Sequence, residues 1–290
     1  MQPKHLLLTI FVMLIFGSVY PLGKLGTNTI PPILFSSLRV LVIFICVIPF
    51  IKLKLPPQKL LLPLILFSLT MGIGVYLTLY LALDISSLVS PIIIGTQLTV
   101  PFGLILSNIF LSEKISIKKW FFIFSSFVGI IIVAYDPRFG EDLIALFVIS
   151  MMAFFYAVSN ILSRFLKNIN IMTQMGWHSF LAFFPLLLLS ITIEGNPIDI
   201  LFPMSFNTAL LILHASLVVS VIGHGFLFYL YRFYTVATVL PFYSLFPIFG
   251  IIFTFIIFIE VPNLYELIGG IIVIGSVYLI HLENKKIINY

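Results

Sequence analysis

The chain has 290 residues, of which 61% are hydrophobic and 9% are charged, and its formal net charge at pH 7 is +5. A typical soluble domain has about 25% charged residues, and a water-soluble fold of this size could not cover its surface with so few charges. The composition therefore excludes a soluble enzyme, a nucleic-acid-binding module and a disordered scaffold. Lipid must be the main solvent of this chain.

Long apolar runs, bounded by proline, glycine or charged residues, predict membrane-spanning helices. Each crossing takes about 20 residues. Ten runs of this kind follow one another at 5–23, 31–51, 60–83, 87–111, 117–135, 142–163, 174–193, 208–232, 238–259 and 264–282. The first run lacks the small-residue cleavage site that ends a signal peptide, so we interpret it as a helix of the mature protein.

Lysine and arginine are distributed unevenly between the predicted loops. If the N-terminus is cytoplasmic, the inner loops and tails hold 12 of these residues, whereas the outer loops hold two, Lys24 and Arg138. Positive side chains collect in cytoplasmic loops. The distribution therefore predicts an even number of spans with both termini in the cytoplasm. The remaining cation, Arg39, lies within the second predicted helix.

The two halves of the chain share a pattern of residues. An aromatic, a polar residue and a cation follow one another at four-residue spacing in the first predicted helix, and again 140 residues later in the sixth. The fourth and ninth predicted helices each carry two prolines and end at an acid. Five helices per copy is an odd number, so the second copy must be inverted in the membrane. We therefore predict two inverted repeats, 1–136 and 137–290, an arrangement typical of transporters.

Residues in this order resemble the drug/metabolite transporter superfamily, in its EamA-domain branch. The resembling stretches are residues 16–24, Pro31-Pro32 with 37–39, Gln97, 111–114 and Gly129, followed by 160–164, 223–225, Pro241 and 247–278. Their order and spacing are most similar to the O-acetylserine/cysteine exporter type. The resemblance implies an all-α integral membrane protein with ten transmembrane helices, arranged as two inverted five-helix repeats.

The resemblance also implies a function. A member of this family is expected to be a secondary-active transporter of the bacterial cytoplasmic membrane. It is expected to export small amino-acid-like metabolites by alternating access. An uptake carrier for an amino acid or cofactor is the alternative within the transporter class. A membrane-embedded enzyme would need a catalytic motif inside the spans, and the sequence shows none. An inert assembly subunit would not require an inverted repeat. We therefore expect no enzymatic activity.

Polar side chains inside apolar helices are the candidate transport residues, because their burial in lipid is costly unless they face a cavity or a partner. Arg39 could bind a substrate carboxylate or hold backbone carbonyls. Lys24 and Arg164, at helix ends, could gate the two sides of the membrane or could extend to the lipid headgroups. Other candidates could line a cavity or join helices, and they are Tyr20, Tyr76, Tyr80, Gln97, Asn160, His224 and Tyr243.

Proton coupling and helix bending are two further roles that can be assigned to residues. Protons are the candidate coupling ion, and His224 is the preferred proton-binding residue because Gly223 and Gly225 leave room around it. Prolines in the fourth and ninth helices are predicted to interrupt the backbone hydrogen bonds and to act as hinges. These prolines are Pro91, Pro101, Pro241 and Pro247. The sequence shows no metal-ligand spacing, and we expect neither a metal nor a cofactor.

Overall fold

The computed structural model of this chain describes residues 2–51, 56–111, 115–139, 142–166, 168–231, 233–234, 242–243 and 245–288. Within these ranges the regular structure is helical throughout, with no β-strand. Many large apolar side chains point outward, among them Leu7, Phe121 and Ile271. An exposed apolar surface of this extent fits a molecule surrounded by acyl chains.

The first half of the chain forms five principal helices. Helix α1 is Pro3–Thr27, and α2 is Pro32–Val47. Helix α3 runs without a break through Gln58–Phe67, a π-helical segment Ser68–Val75 and Tyr76–Ile85. Helix α4 consists of Ser90–Gly95, a 3₁₀ turn Thr96–Leu98 and Thr99–Leu111, and α5 is Ile117–Ala134.

The second half repeats this order. Helix α6 is Leu143–Phe165 and α7 is Ile171–Ile193, followed by a short connecting helix, Pro197–Leu201. Helix α8 runs through Phe206–Leu213, a π-helical segment His214–Gly223 and His224–Tyr231. The last two helices are α9, Leu245–Phe258, and α10, Leu264–Ile288.

The residues that begin these helices explain several of their boundaries. Pro32 starts α2, where a missing N–H removes no helical hydrogen bond. Ser116 and Asn170 cap α5 and α7, because their side chains accept the first backbone N–H groups of those helices. Ser205 caps α8 in the same way.

The predicted fold class is confirmed. Among the described residues, eight helices are long and apolar enough to cross a membrane, and two shorter apolar helices, Leu245–Phe258 and Leu264–Ile280, follow them. Each of the ten predicted spans corresponds to one principal helix. The ninth span was predicted over 238–259, and its residues 238–241 and 244 lie outside the described residues. The tenth helix continues beyond the predicted end at 282, to Ile288.

Helix packing follows the two-copy order of the chain. Helix α1 packs on α9, and the equivalent helix α6 packs on α4. Helix α3 contacts α6 and α7, and the equivalent helix α8 contacts α1 and α2. The remaining large contacts, α2 with α7 and α5 with α10, join equivalent helices of the two halves. The π-helical segments also occur in the equivalent helices α3 and α8. This exchange of partners is consistent with two inverted copies.

Glycines allow two of these helix pairs to touch through their backbones. A Cβ atom added to Gly17 of α1 would lie 2.8 Å from the backbone nitrogen of Gly250 in α9. A Cβ atom on Gly269 of α10 would lie 2.5 Å from the carbonyl oxygen of Gly129 in α5. Small residues permit such close approach between helices in a bilayer.

Candidate functional site

Arg39 is the centre of the candidate site. Its side chain leaves the middle of α2 and is 3% exposed. Its Nη1 donates a 2.8 Å hydrogen bond to the Tyr80 hydroxyl of α3, and its Nη2 donates a 3.0 Å bond to Ser220 Oγ of α8. The guanidinium carbon lies 4.1 Å from the centre of the Tyr76 ring. One cation thus joins α3 and α8, which are equivalent helices in the two halves.

No carboxylate neutralises Arg39 within the described ranges. The ion pairs found there join Lys118 to Glu283 and Arg138 to Asp136 and Glu266. Two hydroxyls and an aromatic ring therefore surround the guanidinium, and the ring attracts it through its negative face. A buried charge without a counter-charge is costly. The arrangement is chemically suited to receive an anion.

The π-helical segment of α8 places Ser220 for this contact. The Ser220 hydroxyl donates to the Ala215 carbonyl, five residues earlier, at 3.1 Å. Its single proton is thereby used, so its lone pair faces Arg39 as an acceptor. π-Helical segments are frequent at functional sites. Ser220 was not predicted from the sequence, because a serine in an apolar span carries no signal of its own.

His178 also contacts the Tyr76 ring. Its imidazole is 2% exposed and meets the rings of Tyr76 and Phe67 edge-on, at 5.9 and 6.0 Å between ring centres. The backbone carbonyl of His178 also lies 3.0 Å from a Cβ atom built on Gly72 in the π-helical segment of α3. Arg39 and His178 therefore contact the π-helical segments of opposite halves.

Tyr20 of α1 lies beside the 3₁₀ turn of α4 that contains Gln97. The Tyr20 hydroxyl lies 3.4 Å from Thr96 Oγ1 of α4, and its ring stacks on Phe246 of α9 at 6.0 Å. Gln97 follows Thr96 in the 3₁₀ turn and is buried. Pro101 explains this turn, because it has no N–H to give to the Gln97 carbonyl four residues earlier.

Two further histidines, His214 and His224, lie at the contact of α1 with α8. His214 Nε2 lies 3.0 Å from Ser18 Oγ, whose proton is donated to the Ile15 carbonyl, so the imidazole is the donor. The His224 ring packs 5.0 Å from Phe16, and its Nδ1 donates to the Val219 carbonyl at 3.2 Å.

Tyr243 contacts the same aromatic residue as His224. Its ring centre lies 6.3 Å from that of Phe16. His224 and Tyr243 are therefore brought together around Phe16. The described hydrogen bonds of Arg39 go instead to Tyr80 and Ser220.

Other predicted site residues are not among the described contacts of Arg39, or they lie outside the described residues. Asn160 has an exposed side chain on α6. Arg164 belongs to the same helix, and its side chain lies outside the described residues, as does Pro241. Pro91 occupies the first turn of α4, where it removes no helical hydrogen bond, and Pro247 is the third described residue of α9. Their hinge roles stay predictions.

Lys24 lies at the end of the helix bundle that we name the outer end, after the predicted topology. Its Nζ donates to the carbonyl oxygens of Asp84 and Ser86, at 3.2 and 2.9 Å. These two carbonyls belong to the end of α3 and the connection to α4. Lys24 therefore ties the last turn of α1 to the α3–α4 connection.

Carboxylates at the outer end bind the starts of helices. Glu194 accepts from the backbone N–H groups of Ile33 and Leu34 at 2.7 and 2.8 Å. Glu260 accepts from those of Val89 and Ser90 at 2.9 and 2.8 Å. Glu194 and Glu260 thus have a structural use, since helix N-termini attract negative charge.

Arg138 forms a second tie at the outer end. Its Nη2 bonds Asp136 at 3.1 Å and Glu266 of α10 at 3.0 Å, and its Nη1 donates to the Val261 carbonyl at 3.2 Å. Burial opposes ionisation of Asp136, but the hydrogen bonds from Arg138 outweigh it and hold the pKa of this carboxyl below its ordinary value. The same hydrogen bonds raise the pKa of Arg138.

Known proteins resemble this chain over nearly all its length. Relatives from Salmonella typhimurium and Escherichia coli, both named probable amino-acid metabolite efflux pump, are 23% and 21% identical, each match covering 96% of this chain and 95% of the relative. An uncharacterised transporter, YoaV, from Bacillus subtilis is 28% identical over 67% of this chain and 69% of its own. The names of the first two relatives agree with the expected export of small metabolites, and none of the three names specifies the O-acetylserine/cysteine exporter type.

A solved crystal structure shares the fold. It superposes with a TM-score of 0.64 at 13% identity, and the match covers 98% of this chain and 99% of that one. The sequence profile of the EamA-like transporter family matches this chain twice, over residues 3–135 and 143–282. The chain therefore belongs to the EamA-like transporter family.

Proposed function

We propose that this protein exports small amino-acid-like metabolites across the bacterial cytoplasmic membrane, and that Arg39 binds the substrate carboxylate. The observation that carries the proposal is the buried guanidinium, which has hydroxyl and aromatic neighbours but no carboxylate partner among the described residues. The relatives named as efflux pumps support the direction and the substrate class.

The other end of the substrate finds suitable groups beside Arg39. An ammonium group needs acceptors or the face of an aromatic ring. Tyr76 and Tyr80, one turn apart on α3, offer both. A site of this kind holds no fixed negative charge, so it binds an amino acid weakly. Weak binding suits an exporter that meets high internal concentrations.

Alternating access would follow from the two-copy architecture. In this proposal the units 1–136 and 137–290 move against each other, with both termini in the cytoplasm. Arg39 contacts α3 on one side and α8 on the other, so an anion bound to it would alter a contact between the two units. Proton antiport with His224 as the proton-binding residue is part of the proposal, as is the likeness to the O-acetylserine/cysteine exporter type.

Transport in membrane vesicles tests the proposal. Vesicles from overexpressing cells are loaded with labelled small amino acids or O-acetylserine, and release is followed with and without a proton gradient. The expected result is faster release than from vesicles without the protein, and a loss of that release in Arg39→Gln. An uptake carrier would accumulate the label instead. A protein that moves none of these compounds in either direction would contradict the proposal.

A further inference from the structure

A cleft of about 420 Å³ opens at the outer end of the molecule. It lies between the end of α1, the start of α4, the α5–α6 connection and the loop that joins α9 to α10. Three charged side chains line it, Lys24, Arg138 and Glu260, together with Ser87 and Val261. The cleft is therefore large enough for a small metabolite and carries charge of both signs.

Two of these three charges are already bound. Arg138 is held by the carboxylates of Asp136 and Glu266 and by the Val261 carbonyl. The Glu260 carboxylate accepts two backbone N–H groups at the start of α4. Either group would have to give up charge-assisted hydrogen bonds to take a ligand.

Lys24 is held more weakly. Its ammonium group donates to two neutral carbonyl oxygens, those of Asp84 and Ser86. The carboxylates of Asp84 and Asp142 are near enough to attract it, but neither forms one of the described ion pairs. A carboxylate offers the same hydrogen-bond acceptor together with a full opposite charge. A carboxylate in the cleft would therefore compete with these carbonyls for Lys24.

The outer cleft is also next to the central site. Gly23 precedes Lys24, and a Cβ atom built on Gly23 would lie 3.2 Å from Cε1 of Tyr80. The hydroxyl of the same Tyr80 ring accepts the hydrogen bond from Arg39. One side chain thus separates the buried cation from the backbone that carries the outer cation.

We propose that the outer cleft is an exit site for the substrate carboxylate, with Lys24 as its binding residue. This inference rests on the proposed function. The carboxylate leaves Arg39 and passes Tyr80 to reach Lys24, which exchanges the Asp84 and Ser86 carbonyls for it. The exchange removes the tie between α1 and the α3–α4 connection, so arrival of the substrate loosens the outer end and favours release.

The first experiment tests the cleft without any transported substrate. Val261, which lines the cleft and is exposed, is replaced in Val261→Cys, in a Cys46→Ser background that removes the native thiol. The labelling rate is measured with a negatively charged and a positively charged methanethiosulfonate reagent. We expect Lys24→Gln to lower the negative-to-positive rate ratio about fivefold, because a short-range charge attracts the anionic reagent.

A matched control and a competitor sharpen this measurement. Lys118→Gln removes an exposed cation that pairs with Glu283, away from the cleft, and we expect the ratio to stay as in the parent. Propionate is the carboxylate probe, and it should slow the negative reagent in the parent but not in Lys24→Gln. An unchanged ratio in Lys24→Gln would overturn the proposal.

A lipid phosphate shares the chemistry of a carboxylate, so the lipid is varied. The labelling is repeated in vesicles of phosphatidylcholine alone and of phosphatidylcholine with phosphatidylglycerol. Slowing by propionate in both supports a site for a soluble carboxylate. Slowing by phosphatidylglycerol without any effect of propionate would show that Lys24 binds lipid, and the exit site would be rejected.

The second experiment measures export of an amino acid that the parent protein releases. We expect Lys24→Gln to cut release about tenfold, with binding from the inner side unchanged and with partial rescue in Lys24→Arg. Arg39→Gln should lose both binding and release. Normal release by Lys24→Gln would reject the exit site alone. If the parent releases none of the compounds tested, the proposed function fails, and the labelling experiment still decides whether the cleft binds carboxylates.

Discussion

The guanidinium carbon of Arg39 lies 4.1 Å from the centre of the Tyr76 ring, inside the helix bundle. The two residues belong to different helices, α2 and α3, and the sequence alone left both of them between a transport role and a packing role. Their contact, together with the hydrogen bonds to Tyr80 and Ser220, makes Arg39 a buried cation held by neutral groups. The described residues provide no anionic partner for this cation.

Substitution of Arg39 tests its role in binding. We expect Arg39→Ala to cut transport at least about tenfold, a loss of about 1.4 kcal/mol, and Arg39→Lys to retain part of the activity because it keeps the charge without the planar fork. Vesicle transport is normalised to the amount of protein in the membrane. Lys118→Gln is the control, and transport at the parental rate by Arg39→Ala would contradict the assignment.

Asn160 separates the sequence prediction from the structural one. The sequence predicts that Asn160→Ala impairs transport as strongly as Arg39→Ala. The structure places its side chain at an exposed position on α6, away from the hydrogen bonds of Arg39. We therefore expect less than about a twofold change in transport, as for a surface substitution outside the site. A tenfold loss at normal abundance would return Asn160 to the binding site.

Gly269 tests the packing of α5 against α10. A Cβ atom at this position would lie 2.5 Å from the Gly129 carbonyl oxygen, so Gly269→Ala must push two backbones apart. Overpacking of this kind costs about 1–3 kcal/mol, and we expect lower membrane abundance and a lower melting temperature in detergent. Gly275→Ala on the same helix is the control, because a Cβ atom there meets nothing within 4 Å. Equal stability of both variants would contradict the close approach.

Asp136 gives a prediction about pH. Its pKa is lower in the folded protein than in the unfolded chain, so its stabilising contribution is present at pH values above the unfolded pKa and is lost only as the pH falls through the folded one. We expect Asp136→Asn to lower the melting temperature by the same amount throughout the range from about pH 5 to 6. If the difference in melting temperature between Asp136→Asn and the parent disappeared within this pH range, a group other than Asp136 would control the ion pairs of Arg138.

The topology can be tested with a reporter fused to the C-terminus. The unequal distribution of lysine and arginine predicts that both termini are cytoplasmic. A fused alkaline phosphatase should therefore be inactive and a fused green fluorescent protein should be fluorescent. The opposite pattern would rule out an even number of crossings in this orientation.

Local patterns in the sequence were enough to predict a membrane protein with ten spanning helices in two similar halves. Whether a segment spans the bilayer depends on local properties. These are the length of its apolar run and the proline, glycine and charged residues at its ends. The repeated positions of Lys24 and Arg164 pointed to the two copies for the same reason, since equivalent helices carry equivalent residues. The resemblance to the EamA-like transporter family rested on the order and spacing of residues along the chain.

The contacts between polar residues of different helices could not be predicted in this way and follow from the packing of the helices. Tyr80 and Ser220 lie 41 and 181 positions after Arg39 in the chain, and no periodicity within one helix reveals a contact between three helices. The π-helical segment that orients Ser220 is likewise invisible in its apolar sequence. Asn160 looked equivalent to Tyr20 by repeat position, yet its side chain is exposed while Tyr20 is buried. The rotation of each helix about its axis depends on its neighbours, and packing against them sets which side chains face the centre.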